Sequence, residues 1–391
     1  MRMFKWDLLK ILRDWKVRII LIALFLFIAS FSTLFQNRSI ELPLEETREQ
    51  YDQTFAIFNV LPDEDFETET GQEIYDKLAE QQEILGNQRY ILNQKEGNTV
   101  EGLEDIVADY VEQGIIMTEN QLSFYEADDF ESQELLLTFI PSEEELEEDL
   151  KFLNYLQEEN VEIDWNPMSP SLVLFNLVNL ISGVVIFIIA AILGADRFSR
   201  DQEHNWSITQ GIPLSWAAQW RIRTLISWVL IWLAVIAGVF ISYWINTLSA
   251  DSGTIRYPVS ILGGDNAEYI SILEYSLLVI GLSMILSYII VKLSTGLSFV
   301  FRNIYLTITL VIVIFYIPVI LLQFPAMAEW NPLTYMQIQP LISGEYTISE
   351  NISVPRIIIN FIILYIILEI IFYFIFKLIP TRTGKLERRK N

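Results

Sequence analysis

Six stretches of the chain, 19–37, 171–195, 224–250, 275–291, 303–328 and 357–376, carry no charged side chain, apart from a single interruption at Glu369 in the last. A helix needs roughly 20 residues to cross a hydrocarbon core. The pattern therefore predicts six membrane-spanning helices, at 17–37, 171–195, 224–248, 271–291, 303–325 and 357–376. Between the first two the periodicity changes. The segment GQEIYDKLAEQQEIL sets Ile74, Leu78 and Leu85 on one helical face. SEEELEEDLKFLNYL repeats this with Leu146, Leu150 and Leu153, behind a capping box of Ser142 and Glu145. GIIMTENQLSFYEA between them predicts a short hairpin turning at Glu119 and Asn120. Pro167 and Pro170 mark the return to the membrane. The fold class is an all-α polytopic membrane protein with six transmembrane helices and a mostly helical extracellular domain over 38–170, α+β if the hairpin forms.

Residues 1–16 predict an amphipathic helix lying in the membrane surface, because Phe4, Leu8, Ile11 and Trp15 recur at helical spacing while Lys5, Lys10 and Arg13 take the other side. The first apolar run is long, and no small-residue cleavage pattern follows Phe35, so it reads as a retained span and not a secretory leader. The remaining connections are loops at 196–223 and 292–302 on the side of the termini, an extracellular loop at 249–270, an extracellular re-entrant segment at 326–356, and a basic tail at 377–391.

Charge sets the orientation. Of the 26 Lys and Arg residues, 18 lie in 1–18, 196–223, 292–302 and 377–391, which share one side of a six-span topology. By the positive-inside rule that side is the cytoplasm, and both termini are cytoplasmic. Residues 36–170 hold 36 of the 50 acidic residues and only six basic ones, so the net charge of −24 belongs to the external domain. Nothing there offers the basic face a nucleic acid would need.

Catalytic chemistry is sparse. With no cysteine and one histidine, His204, the chain has no thiolate nucleophile, no zincin helix and no His-rich metal site. No phosphate-binding loop of the G-x-x-x-x-G-K-[ST] form occurs; Gly384-Lys385 is followed by Leu386. The chain is expected to bind no cofactor and to be no enzyme. Glu369, the one ionisable group within an apolar run, reads either as a protonated or snorkelling side chain at a helix interface or as part of a conduction path.

The stretch SRDQEHNWSITQGIPLSWAAQWRIR joins the second and third spans, and EWNPLTYMQIQPLISGEY lies between the fifth and sixth. Together with the order of parts, these resemble the type 2 ABC exporter permeases, the subfamily with a large external domain between its first two spans. In the first stretch Asp201 and Glu203 match an acidic element, Pro213 and Ser215 a Pro-Ile-Ser-Arg-like step, and Arg221 or Arg223 a basic residue opening the third span. Asn205 and Trp206 stand where the family usually has Gly-Thr. In the second, Asn331, Pro332, Tyr335 and Gly344 match an Asn-Pro start followed by a short helical re-entrant pair.

The resemblance implies that the loop around 200–210 is a coupling helix seated on a separate cytoplasmic ABC ATPase subunit, which binds the ATP and Mg. Trp206 and Ile208 would be its apolar anchors, Asp201 and Glu203 its register-setting charges, and Pro213 its stop. It further implies a permease homodimer in the lipid of a bacterial cell membrane, exporting an amphipathic substrate such as an antimicrobial or signalling peptide. The rival reading is a membrane-anchored sensory or ligand-binding protein that uses the acidic external domain.

Overall fold

Among the described residues, four helices are long and apolar enough to cross a membrane: Pro170–Ser199, Trp216–Leu248, Ile272–Phe301 and Val354–Leu378. They come from a computed structural model, which describes residues 2–35, 44–58, 69–95, 104–127, 133–161, 163–164, 166–203, 214–249, 254–261, 268–321, 331–343 and 353–378. The chain divides into two units, one formed by Met1–Gln36, Val173–Ser249 and Glu274–Asn391, the other by Asn37–Leu172 and Ala250–Leu273.

The first unit starts with α1 (Arg2–Arg13) and α2 (Trp15–Ala29). They are separated at Asp14, whose extended backbone and side chain cap α2 by accepting from Lys16 N at 3.1 Å. On α1 the buried positions are Asp7 and Ile11, whereas Phe4, Trp6, Leu9, Leu12 and also Trp15 are exposed. The expected stripe of Phe4, Leu8, Ile11 and Trp15 is thus divided: Ile11 turns to the protein because its neighbour at helical spacing, Asp7, finds charge partners there. A short helix, α3 (Phe31–Phe35), follows.

Within the second unit lie α4 (Leu44–Phe58), α5 (Glu69–Lys95), α6 (Glu104–Glu126), α7 (Gln133–Leu137) and α8 (Glu143–Glu158). Ile74, Leu78 and Leu85 are buried as expected, and the Ser142–Glu145 capping box is present in both directions. The hairpin expected at Glu119 and Asn120 does not form; both residues sit inside α6. The buried positions Val111, Gly114, Ile115, Thr118, Gln121 and Phe124 repeat at helical period, and Asn120 Nδ2 donates to Glu80 Oε2 on α5 at 3.1 Å. A polar pair that resembles a turn is here simply the outer face of a helix.

The unit also takes in the expected loop at 249–270, which contributes two antiparallel strands, β1 (Pro258–Ile261) and β2 (Glu268–Ser271). Tyr269 Oη donates to the Glu148 carbonyl at 2.9 Å, and the Phe152 ring meets those of Tyr257 and Tyr269. Burial pushes both phenols up to about 12. Asp164, near the end of this unit's first segment, accepts from Asn166 N and from Ser171 Oγ, both at 3.1 Å. Even so, burial holds its carboxyl above the usual range.

Back in the first unit, α9 (Pro170–Leu180) continues through a π-turn at Ile181–Val185 into α10 (Ile186–Glu203). The helix kinks at Gly183, where φ −83° and ψ −118° depart from helical values. Next comes α11 (Trp216–Ser249), about 50 Å long at the helical rise. It is followed by α12 (Ile272–Phe301), α13 (Ile304–Leu321), a 3₁₀ turn at Pro332–Met336, α14 (Ile338–Ile342) and α15 (Val354–Leu378).

The α2 helix packs along α11, where a Cβ on Gly238 would lie 2.8 Å from the Ile28 side chain. Helix bounds exceed the uncharged runs: α10 passes 195 to reach Glu203, α11 begins at Trp216 instead of 224, and α12 runs through Lys292 to Phe301. The expected loop at 292–302 shrinks to Arg302 and Asn303. Arg302 takes a left-handed φ of 57°, and Asn303 Oδ1 caps α13 by accepting from Tyr305 N and Leu306 N.

Candidate functional site

The helix that leads into 204–213, α10, packs against α12 along a seam. Small residues let the helices approach: a Cβ on Gly194 would fall 2.7 Å from Ser294 Cβ and 3.0 Å from the Val291 carbonyl oxygen. Ser294 Oγ donates to the Ala191 carbonyl at 2.7 Å and Ser298 Oγ to that of Ala195 at 2.6 Å, while Phe198 N and Ser199 N donate back to Ser298 Oγ. Close backbones and interhelical hydroxyl bonds are the means by which helices associate in lipid, where apolar burial supplies little drive.

Above this seam lies a buried ion cluster. Arg223 on α11 is 1% exposed; its Nη2 stands 2.6 Å from Asp201 Oδ2 at the end of α10, and its Nη1 donates to the Arg197 carbonyl at 2.8 Å. Its guanidinium covers the Phe198 ring, with Asp7 Oδ1 of α1 at 3.8 Å from Nε. Lys10 of α1 is the second cation on Asp201. Asp201 therefore turns into the chain. Where a charge facing a docking partner was expected, Asp201 is 7% exposed and pairs with two cations of its own chain.

A second cluster ties α11, α12 and α15. Glu369 accepts from Arg221 at 2.8 Å and from Lys292, and Tyr365 Oη donates to it at 3.2 Å. Lys292 is fully buried, with its ammonium 3.7 Å from the centre of the Tyr365 ring, 4.8 Å from that of Trp220 and 5.6 Å from that of Tyr288. Glu369 thus sits at a helix interface, one of the places expected for it, and faces two cations there. Three indole N–H groups of α11 grip α12 alongside. Trp220 donates to the Lys292 carbonyl, Trp228 to that of Met284, and Trp232 to Ser287 Oγ, at 3.0, 2.9 and 2.9 Å. Sequence reading missed this ladder; the spacing of tryptophans along one run was its only trace.

The other expected site residues divide in two. Glu203 closes α10, and Trp206, Ile208, Pro213 and Gly344 lie outside the described residues. Asn331 caps the 3₁₀ turn by accepting from Leu333 N at 3.0 Å, Pro332 takes its first position, and Tyr335 is wholly buried, with the turn packed on α13 and α15. The turn and α14 are consecutive short helical pieces, and α14 packs on the π-turn of the α9–α10 helix.

Among the described residues no three His, Cys, Asp or Glu side chains gather as metal ligands. The charges meet opposite charges: Arg223 and Asp201 tie the end of α11 to that of α10, and Glu369 joins α11 to α12 and α15. No family model matches the chain, and no curated protein or solved structure is significantly similar to it.

Proposed function

We propose that the chain is the membrane permease subunit of an ATP-driven exporter. In this reading it has six spans, α2 and α13 being the first and fifth, and both termini lie in the cytoplasm of a bacterial cell. A separate ABC ATPase holds ATP and Mg, two permease copies form the pathway, and an amphipathic substrate such as a peptide leaves between them.

The observation that supports the reading most is the Asp201–Arg223 pair. It links the two helices flanking 204–213, so a push on that segment reaches α10 and α11 as one body. The Arg221–Glu369–Lys292 cluster then passes the displacement to α15 and α12. A loop whose sole task was to connect two spans would need neither.

Docking on the ATPase falls to Trp206 and Ile208 with Glu203, since Asp201 is engaged inside the chain. The test is ATPase retained per membrane-inserted permease for wild type and Trp206→Ala. A large aromatic seated in a partner groove costs at least ~2 kcal/mol when cut to Ala, a drop in affinity of about thirtyfold. Retention unchanged by the substitution, or no ATPase captured by wild type, sinks the exporter reading and favours a membrane-anchored sensory protein using the acidic unit.

A further inference from the structure

A cleft of about 340 Å³ opens between α1 and α10, within the first unit. Asp7, Lys10, Arg13 and Asp14 line it on one side, Asp196, Arg197 and Asp201 on the other. Its charges are mixed, and some of their hydrogen-bonding atoms are unused. Asp7 is 3% exposed; its Oδ1 faces Arg223, but among the described residues its Oδ2 has no hydrogen-bond partner, and neither have the buried Nε and Nη2 atoms of Arg197. Carboxylate and guanidinium thus face one cleft without closing on each other. A buried polar atom left without a hydrogen bond is costly, so these atoms mark a place for something that answers both signs.

The chemistry of that occupant is narrow. A simple anion would satisfy Arg197 and be repelled by Asp7, Asp14 and Asp196. A metal cation would do the reverse. Water serves both signs and is the occupant that any bound molecule has to displace. A molecule with a phosphate and a primary ammonium a few bonds apart meets both: phosphate oxygens accept from Arg197, and the ammonium donates to Asp7. A quaternary ammonium would bring the charge without the N–H donors.

The surroundings say where such a molecule comes from. Outside the cleft α1 exposes Phe4, Trp6, Leu9 and Leu12 beside Lys5. Aromatic and aliphatic groups mixed with cations are the make-up of a helix lying at a lipid interface. We infer that the cleft binds the phosphoethanolamine headgroup of a membrane phospholipid, with Arg197 on the phosphate and Asp7 on the ammonium. The inference does not depend on the transport reading, and its test uses no ATPase.

The full-length protein, stripped of lipid in mild detergent, is titrated with phosphatidylethanolamine, phosphatidylcholine and phosphatidylglycerol of matched acyl chains, and bound lipid is counted by native mass spectrometry. A fourth arm uses water-soluble glycerophosphoethanolamine. Phosphatidylethanolamine is expected to bind about tenfold more tightly than the other two lipids, the worth of one charge-assisted hydrogen bond. Asp7→Asn should remove that preference, and Arg197→Gln should weaken all three lipids. The wild-type comparison stands even if either variant fails to fold. Equal binding of the three lipids, a preference for phosphatidylglycerol, or no retained lipid would overturn the inference. Soluble headgroup bound as tightly as the lipid would overturn the lipid source.

Discussion

Arg223 Nη2 lies 2.6 Å from Asp201 Oδ2 with both side chains buried, although the two residues stand on either side of the 204–213 segment. Neither charge was brought out of water for its own stability, since a buried pair often does no better than an apolar one of the same shape. What the pair supplies is a fixed relation between two helix ends. Breaking one partner leaves the other uncompensated. Arg223→Met is therefore expected to lower stability by about 3–5 kcal/mol. Asp201→Asn combined with Arg223→Met should recover part of that loss, with thermal unfolding in detergent as the measurement. A double variant no better than Arg223→Met would mean that the pair is not coupled.

The cluster at Glu369 yields an opposite-sign version of the same argument. Glu369→Gln removes the only carboxylate that Lys292 and Arg221 share among the described residues. Lys292 is fully enclosed, so the variant is expected to lose about 3 kcal/mol and to expose the α12–α15 contact. Lys292→Met in the Gln background should restore most of it, because the aromatic rings around the ammonium accept an apolar chain equally well. Stability of the single Gln variant equal to wild type would show that Glu369 is uncharged in the folded protein.

Asp164 makes a pH-dependent prediction in the second unit. Its folded pKa is raised by burial above the ordinary 3.8. The protonated form is then favoured by folding, so the contribution is most stabilising below about pH 4 and is lost as the pH rises through the folded value. Asn at this position keeps an acceptor for Asn166 N and offers an amide donor to Ser171 Oγ. Asp164→Asn should raise the melting temperature at pH 7 and change it little at pH 3.5. A rise of the same size at both values would trace the effect to something other than the charge.

Orientation is open to direct measurement, because the chain has no cysteine of its own. Gln157 on α8 and Ser215 before α11 are both exposed. Singly introduced as cysteines, they should respond differently to an impermeant thiol reagent given to intact cells: Gln157→Cys labels at once, Ser215→Cys only after permeabilisation. Equal labelling of the two positions would contradict the orientation drawn from the basic residues.

Hydrophobic pattern alone located the long helices and the capped helix at Glu143–Glu158, because span length, helical period and capping are local properties of the chain. It misplaced the ends of α11 and α12 for the same reason. A local reading takes Arg221, Arg223 and Lys292 as the borders of apolar runs, and so ends the helices there. Tertiary structure decided otherwise by bringing Glu369, 77 residues from Lys292 and 148 from Arg221, and Asp201 to meet them. The helix at Glu119 and Asn120, and the joining of 250–273 to the acidic unit, were likewise settled by what lay opposite. A charge inside an apolar helix is forbidden or required according to its partner, and no stretch of sequence names a partner that folding delivers from elsewhere in the chain.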